Sequence, residues 1–509
     1  MTSSIERAYA AVEAHDTIAA IGWFEKALAE NPDHAEAKAW LGQSLCSVGR
    51  LDEGTAYLRQ TGQHFLRAAA GSGDASLALE LVDELQHWRD FAGALELGQR
   101  AVEINPSESR GWQLLTLSYS QLNRLPEALD AGRRALELAP DNAMMQILQG
   151  SLEADAGQND AARGRLKAVL GRQPTAQEEF RARKELARVL DSLGAYDAVF
   201  PHLHASARLS AALPEFSEQD AAFIPNLLKA SKTGFDRELL GRWSGTAFPP
   251  DQPPPIFVVG FMRSGTTLTQ EILGAHPDIF VADEEGFVPA LNRELHRMEP
   301  GGASVADKLR RLDRPGVLRL RALYWKLARQ RFGGAIGQRA FVDKFTMNTV
   351  DLGLINVIFP DAKVVFVMRD PRDVCISCFM QLMVPSQTTV YLLTWRGTAE
   401  FYALVMDWWM HVKPLLTLDV IEFRYEDAVT QFEPVFRRVF DRLGLRWDPA
   451  VADFHKNVGG KFIASPSRNQ VAQPLYSSSV ARWRHFEAEF APVAGLLEPF
   501  IRASDYEPF

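Results

Sequence analysis

Residues 256–275 read IFVVGFMRSGTTLTQEILGA, and this stretch decides the fold of the second half of the chain. Ile256 to Gly260 is a β-branched and aromatic run of the kind expected for a strand buried on both faces. FMRSGTTL follows at once, and Leu268, Ile272 and Ala275 then recur at helical spacing. The order predicted is strand, tight loop, helix. Such a junction aims backbone N–H groups and the positive end of a helix dipole at one point, which suits a phosphate or sulfate group. Gly260 and Gly265 let the backbone come close to that group. A nucleoside-triphosphate loop would read GxxxxGK[ST], but Thr266 stands after Gly265 where the lysine belongs, so this is not a standard Walker A loop.

A second strand–helix junction lies downstream in KVVFVMRDPRDVCIS, Lys363 to Ser377. Asp370 fits an N-cap and Pro371 the first helical position. Arg369 offers a planar donor fork for phosphate, and Ser377 supplies a hydroxyl two turns into the helix. The competing structural account pairs Arg369 with Asp373 and leaves Ser377 in the core. Cys375 and Cys378 fall inside the same helix and read as packing residues rather than a redox pair. With Cys46 they are the three cysteines of the chain, which excludes a disulfide framework.

Working outward, the 509-residue chain is 47% hydrophobic, enough for sizeable cores, and its net charge of -9 argues against general nucleic-acid binding. The longest apolar runs fall far short of the ~18 residues of a spanning helix, and MTSSIERAYAAVEAHD does not read as a signal peptide. The expectation is a cytoplasmic protein without a transmembrane segment. The first half is periodic: Pro106, Pro140 and Pro174 are spaced by 34 residues. In the same frame Ala94, Ala128 and Ala162 recur at one contact position, and Ala27, Ala101 and Ala135 at another. Gly42 and Gly150 are expected to end or break the first helix of their repeats, and VGRLDEG, LNRLPEA and AGQNDAA fall at the turns between paired helices. The interval from Pro32 to Pro106 is 74, six more than two periods, so an insertion is expected around AAAGSGD. About five helix pairs should fill residues 1–210. Helical phase is lost after Leu213, and FPPDQPPP should be a stiff connector in a linker of residues 211–250, ahead of an α/β domain over 251–509.

The segment with the 34-residue period, residues 1–210, resembles tetratricopeptide repeats. VGFMRSGTTLTQEILGAHPDI resembles the 5′-phosphosulfate loop of sulfotransferases that use 3′-phosphoadenosine 5′-phosphosulfate (PAPS), with RSGTTL as its specific part. KVVFVMRDPRDVCIS resembles the 3′-phosphate site of that family, which has the same eight-residue step from arginine to serine. FVDKFTMN, Phe341 to Asn348, is similar to the lysine-bearing segment of bacterial tetratricopeptide-containing sulfotransferases and tyrosylprotein sulfotransferases, with Thr346 replacing the usual proline. FRYEDAV is similar to the tyrosine-bearing strand beside the nucleotide, and NQVAQPLYSSSVARW to the C-terminal segment closing over PAPS. The fold implied is a helical repeat solenoid followed by a P-loop-like, three-layer α/β sulfotransferase domain with a parallel sheet.

The resemblance implies a PAPS-dependent sulfotransferase that needs no metal. The donor would be held by Arg263, Ser264, Gly265, Thr266, Thr267, Leu268, Arg369, Ser377 and Tyr425, with Ser467 and Arg482 as further nominees. Lys344 and Arg263 would act on the transferring group, Lys344 by neutralising the bridging oxygen as it leaves. Glu284 would be the base for the acceptor hydroxyl, with Glu285 as the neighbouring alternative. Desolvation and the charge of the donor should raise the pKa of such a carboxylate. His276 is a rival base, but its place at a helix end before Pro277 favours a structural role.

The acceptor is not named by any motif. Lys308 to Arg331 contains nine basic residues against one acid, Asp313. Lining the acceptor cleft, this segment would draw in an anionic acceptor such as a protein tyrosine flanked by acids or an acidic glycan; the plainer account is a solvated helix face. A small-molecule hydroxyl is the alternative acceptor. The repeats would recruit or orient an acceptor protein, bind a partner, or pair two copies as a homodimer. A non-catalytic scaffold and a misread P-loop kinase are the competing functions.

Overall fold

The computed structural model describes residues 3–301, 304–457, 462–465 and 471–509. It divides into two compact units, Met1–Val169 with Gly459–Ile463, and Leu170–Val458 with Ala464–Phe509.

The first unit is a helical solenoid: α1 (Ser4–Glu13), α2 (Thr17–Glu30), α3 (Ala35–Ser47), α4 (Leu51–Ser72), α5 (Ser76–His87), α6 (Phe91–Ile104), α7 (Ser109–Gln121), α8 (Leu125–Leu138), α9 (Ala143–Asp155) and α10 (Asn159–Leu170). Each helix packs on its neighbour in sequence through α9, the nearest-neighbour architecture of a repeat protein. The small residues sit where the period put them: Ala94, Ala128 and Ala162 are fully buried, and Ala27, Ala101 and Ala135 nearly so. The six extra residues lengthen a helix, because α4 runs for 22 residues where α2, α6 and α8 run for 14. Gly42 and Gly150 do not end their helices. Both lie inside α3 and α9, close against Leu58 and Leu166 of the next helix, while the chain turns at Gly49 and Gly157 with φ of 85° and 76°.

In the second unit α11 (Ala176–Ser192) and α12 (Val199–Ser210) pack on each other, and α11 also packs on helix Pro371–Met380. The stretch expected as an extended linker is largely helical. Helix Phe223–Gly234 buries Ile224 and Leu228, an i, i+4 pair, against helix Trp395–Val412, and a short helix follows at Arg237–Gly241.

The sheet has five parallel strands in the order β2-β3-β1-β4-β5: β1 (Ile256–Gly260), β2 (Ile279–Asp283), β3 (Ala340–Lys344), β4 (Lys363–Met368) and β5 (Asp419–Arg424). Period-2 alternation gives it two apolar faces. Ile256, Val258, Val342, Val365 and Ile421 pack with Ile272, Leu273, Phe436 and Phe440 of helices Thr266–Gly274 and Phe432–Leu443. On the opposite face Phe257 meets Tyr324 and Phe359, and Phe366 stacks on Trp409 at 3.8 Å. β1 is central, with β3 on one side and β4 on the other, so the chain reverses its direction of winding there. Crevices outside the carboxyl ends of strands at such a point are where α/β sheets bind ligands. No described helix is long and apolar enough to cross a membrane.

Candidate active site

At the carboxyl end of β1 the chain turns through residues 261–265 into helix Thr266–Gly274. Arg263 and Gly265 both take positive φ, 66° and 107°. A Cβ at position 265 would stand 2.7 Å from the ring of Tyr425, so glycine is required there on two counts. The first intrahelical bond is made by Thr269 N–H to Gly265 O, which leaves the N–H groups of residues 266–268 at the positive end of the helix. Ser264 Oγ is buried beside them with no hydrogen-bond partner among the described residues. Thr266 Oγ1 lies 2.9 Å from Thr346 Oγ1, and Thr267 Oγ1 donates to Ser465 Oγ at 2.8 Å.

Three arginines converge on one flank of the loop. Arg263 Nε donates to Ser377 Oγ at 2.9 Å. Arg369 donates to Arg263 O at 3.0 Å and to Ser479 O at 2.6 Å, and its guanidinium lies 4.7 Å from the centre of the Tyr425 ring. Its Nε is buried with no hydrogen-bond partner among the described residues. Burial, with the Arg369 and Arg482 cations nearby, pulls Arg263 down to about 10. Asp370 caps helix Pro371–Met380, accepting from Arg372 N. Buried donors without acceptors among clustered cations are costly unless an anion meets them, so the flank fits a phosphate or sulfate group.

On the other flank, parallel pairing sets Asp283 of β2 opposite Lys344 of β3. Lys344 is fully buried, with its Nζ 2.8 Å from Asp283 Oδ1 and 2.9 Å from Glu284 Oε1. Burial would lower the ammonium pKa, and the two carboxylates more than offset it, holding Lys344 above the ordinary lysine value. Burial pushes Asp283 up, but Lys344 outweighs it and leaves that carboxyl below its usual range. Glu284 takes a positive φ of 54°, uncommon for a non-glycine residue, and its N–H donates to Lys344 O at 2.8 Å. Glu285 turns away, with Arg331 Nε donating to its Oε1 at 3.0 Å.

Residues 254–449 match the model of the sulfotransferase family, and residues 5–63 and 147–198 match the model of the tetratricopeptide repeat. The chain joins tetratricopeptide repeats to a sulfotransferase-family domain. An uncharacterized protein of Aquifex aeolicus is 26% identical over 467 residues, which cover 84% of this chain and 60% of that one. Nodulation protein NoeE of Sinorhizobium fredii is 33% identical over 129 residues, 24% of this chain and 30% of its own length. Protein-tyrosine sulfotransferase 1 of Danio rerio is 25% identical over 245 residues, 45% of this chain and 65% of its own length. The chain spans less than two thirds of the length of each of these three relatives.

Within the sulfotransferase-family domain, Arg263, Ser264, Gly265, Thr266, Thr267, Arg369, Ser377 and Tyr425 surround one loop, and Lys344 and Glu284 stand at the adjoining strand ends. Leu268 packs its side chain on the core, so only its backbone faces the cradle. Arg482 is turned to Asp191, its Nε donating to Asp191 Oδ1 at 3.0 Å. Ser467 lies outside the described residues. Arg369 makes no ion pair with Asp373, which instead accepts from Trp483 N at 2.8 Å. His276 Nδ1 accepts from Asp278 N and its Nε2 lies 2.9 Å from Arg446 O, so both ring nitrogens hold the turn. Burial pushes the Cys378 thiol up to about 12 and holds the Cys375 thiol well above its ordinary value, in keeping with packing residues.

Sequence reasoning missed several contributors. Asp283 directly precedes Glu284 in sequence, but only the register of β2 on β3 reveals it as the counter-ion of the buried Lys344. Thr349 donates to Gly260 O at 2.7 Å and accepts from Gly260 N at 3.0 Å, fixing the end of β1, and no motif marks it. Asp343, beside Lys344, is fully buried and accepts from Tyr324 OH at 2.8 Å; burial pushes it up to about 7.

The basic segment is largely committed to structure. Arg310, Arg319, Arg321 and Arg331 pair with Asp236, Glu294, Asp361 and Glu285. Lys308, Arg314 and Arg329 donate to the backbone oxygens of Glu299, Ala247 and Asp251. Four of the nine cations are thus neutralised by carboxylates, while the three that donate to backbone oxygens keep their charge.

Proposed function

We propose that the chain transfers a sulfuryl group from PAPS to an acceptor hydroxyl. The observation that carries the reading is the conjunction of two buried donor groups without a hydrogen-bond partner among the described residues, Ser264 Oγ and Arg369 Nε, with the ion-paired Lys344 at the same end of the sheet. Bound PAPS would supply an activated sulfuryl group on an anionic leaving group. The N–H groups of residues 265–268 and Ser264 would hold its 5′ end. Arg369, Ser377 and Arg263 would hold its 3′-phosphate, and Tyr425 would flank it. Lys344 would stabilise charge at the bridging oxygen, while Glu284 would accept the proton of the acceptor hydroxyl. By analogy with phosphoryl transfer, positioning and electrostatic stabilisation account for most of such a rate enhancement.

The favoured acceptor is a protein tyrosine. Similarity to protein-tyrosine sulfotransferases supports it, and the reading no longer leans on the basic segment. The repeats, residues 1–210, would recruit or orient that acceptor, or pair two copies. The test is transfer of labelled sulfate from PAPS to a tyrosine peptide, with a phenylalanine peptide as control. Label on the tyrosine peptide alone is expected; label confined to a sugar or small phenol would move the acceptor class, and none on any hydroxyl would remove the activity.

A further inference from the structure

Segment 479–483 is tied at several points beside the proposed donor site, and one of its ties comes from helix α11. Ser479 O accepts from Arg369, and Trp483 N donates to Asp373 Oδ1 at 2.8 Å. Ala481 between them has φ of 56°, a left-handed conformation that persists only where the surroundings fix it. Arg482 is held by Asp191 at the end of α11, through Nε to Oδ1 at 3.0 Å and through an ion pair of Nη2 with Oδ2. Its Nη2 also lies 3.2 Å from Met380 Sδ, at the end of the helix that carries Ser377. Two turns earlier on α11, buried Lys184 donates from Nζ to Phe379 O on that same helix. One face of α11 thus grips both the helix of Ser377 and the segment that meets Arg369.

We propose that Asp191 is a positioning residue for the donor site: it fixes Arg482, and through it the 479–483 segment, against the Arg263–Arg369–Ser377 flank. This rests on the donor reading above. Asp191 touches no donor atom and acts by neutralising and orienting one guanidinium of a crowded cationic cluster. Side chains on helix α11 and on the C-terminal segment form a bidentate pair that is mostly shielded from water, where charge-assisted hydrogen bonds are strong and directional.

The experiment is titration of the full chain with adenosine 3′,5′-bisphosphate across a double-mutant cycle of Asp191→Asn and Arg482→Ala, with melting temperatures measured in parallel. Asp191→Asn should weaken binding by ~10-fold, and should add nothing once Arg482 is alanine. Asp191→Glu, which keeps the charge and shifts it by one methylene, should lose less and serves if the asparagine variant does not fold. Equal losses from Asp191→Asn in both backgrounds, or affinity unchanged in the wild-type background, would overturn this role alone. A wild-type chain that does not bind the bisphosphate would remove the donor reading, and this role with it.

Discussion

Lys344 and Glu284 are joined twice: Glu284 N–H donates to Lys344 O at 2.8 Å, and Lys344 Nζ lies 2.9 Å from Glu284 Oε1. The backbone bond continues the β2–β3 register by one residue past Asp283, which explains how a glutamate with positive φ is aimed at the lysine. The proposed base and the lysine proposed to stabilise the leaving oxygen are therefore pre-set against each other before any substrate arrives.

That arrangement makes Lys344 a stability residue as well as a chemical one. Lys344→Met leaves the partly buried Asp283 charge without its ion pair and should destabilise the fold by ~3 kcal/mol, measured by denaturant titration. The folded Asp283 carboxyl lies below its ordinary value of 3.8, so its contribution is present above that pH and fades as pH falls through the folded value. The variant should lose this acid-side dependence. An unchanged profile below pH ~4 would contradict the pairing.

Glu284→Gln should preserve affinity for adenosine 3′,5′-bisphosphate and lower turnover by ~10²-fold or more. Glu285→Gln should do less, because Glu285 is already engaged by Arg331. Single-turnover kinetics on both variants checks the order, and the reverse order would move the base by one residue.

Arg369→Ala should weaken the same nucleotide by ~2 kcal/mol or more, the size of a lost charge-assisted contact. Calorimetry on a variant whose melting temperature is retained measures it.

Asp343 gives a pH signature of opposite sign to Asp283. Its folded pKa is raised to about 7 from 3.8, so its contribution to stability is full below 3.8 and is lost as pH rises through about 7. Asp343→Asn should flatten the fall in melting temperature between pH 5 and pH 8, while Tyr324 keeps an acceptor. A slope equal to wild type would place the titration elsewhere.

The fold was legible in the sequence wherever a period or a motif is carried by adjacent residues. Ala94, Ala128 and Ala162 declare the repeat because helix packing selects small residues at a fixed spacing, and RSGTTL declares the loop because its geometry is local. What stayed hidden is what register and distant chain segments supply. Asp283 meets Lys344 across two strands, Asp191 meets Arg482 over 291 positions, and Thr267 meets Ser465 over 198. Residues 211–250 read as a linker because the 34-residue phase is lost and prolines punctuate the stretch, yet Ile224 and Leu228 anchor helix Phe223–Gly234 in the second unit.

The central claim is that the loop and its arginine flank are a PAPS site. Calorimetric titration of the full wild-type chain with adenosine 3′,5′-bisphosphate and with ATP tests it most directly, since only the first carries the 3′-phosphate assigned to Arg369 and Ser377. The account predicts saturable binding of the bisphosphate that is at least ~10-fold tighter than that of ATP and is weakened by Arg369→Ala. Equal or tighter binding of ATP, or no binding of the bisphosphate, would contradict it.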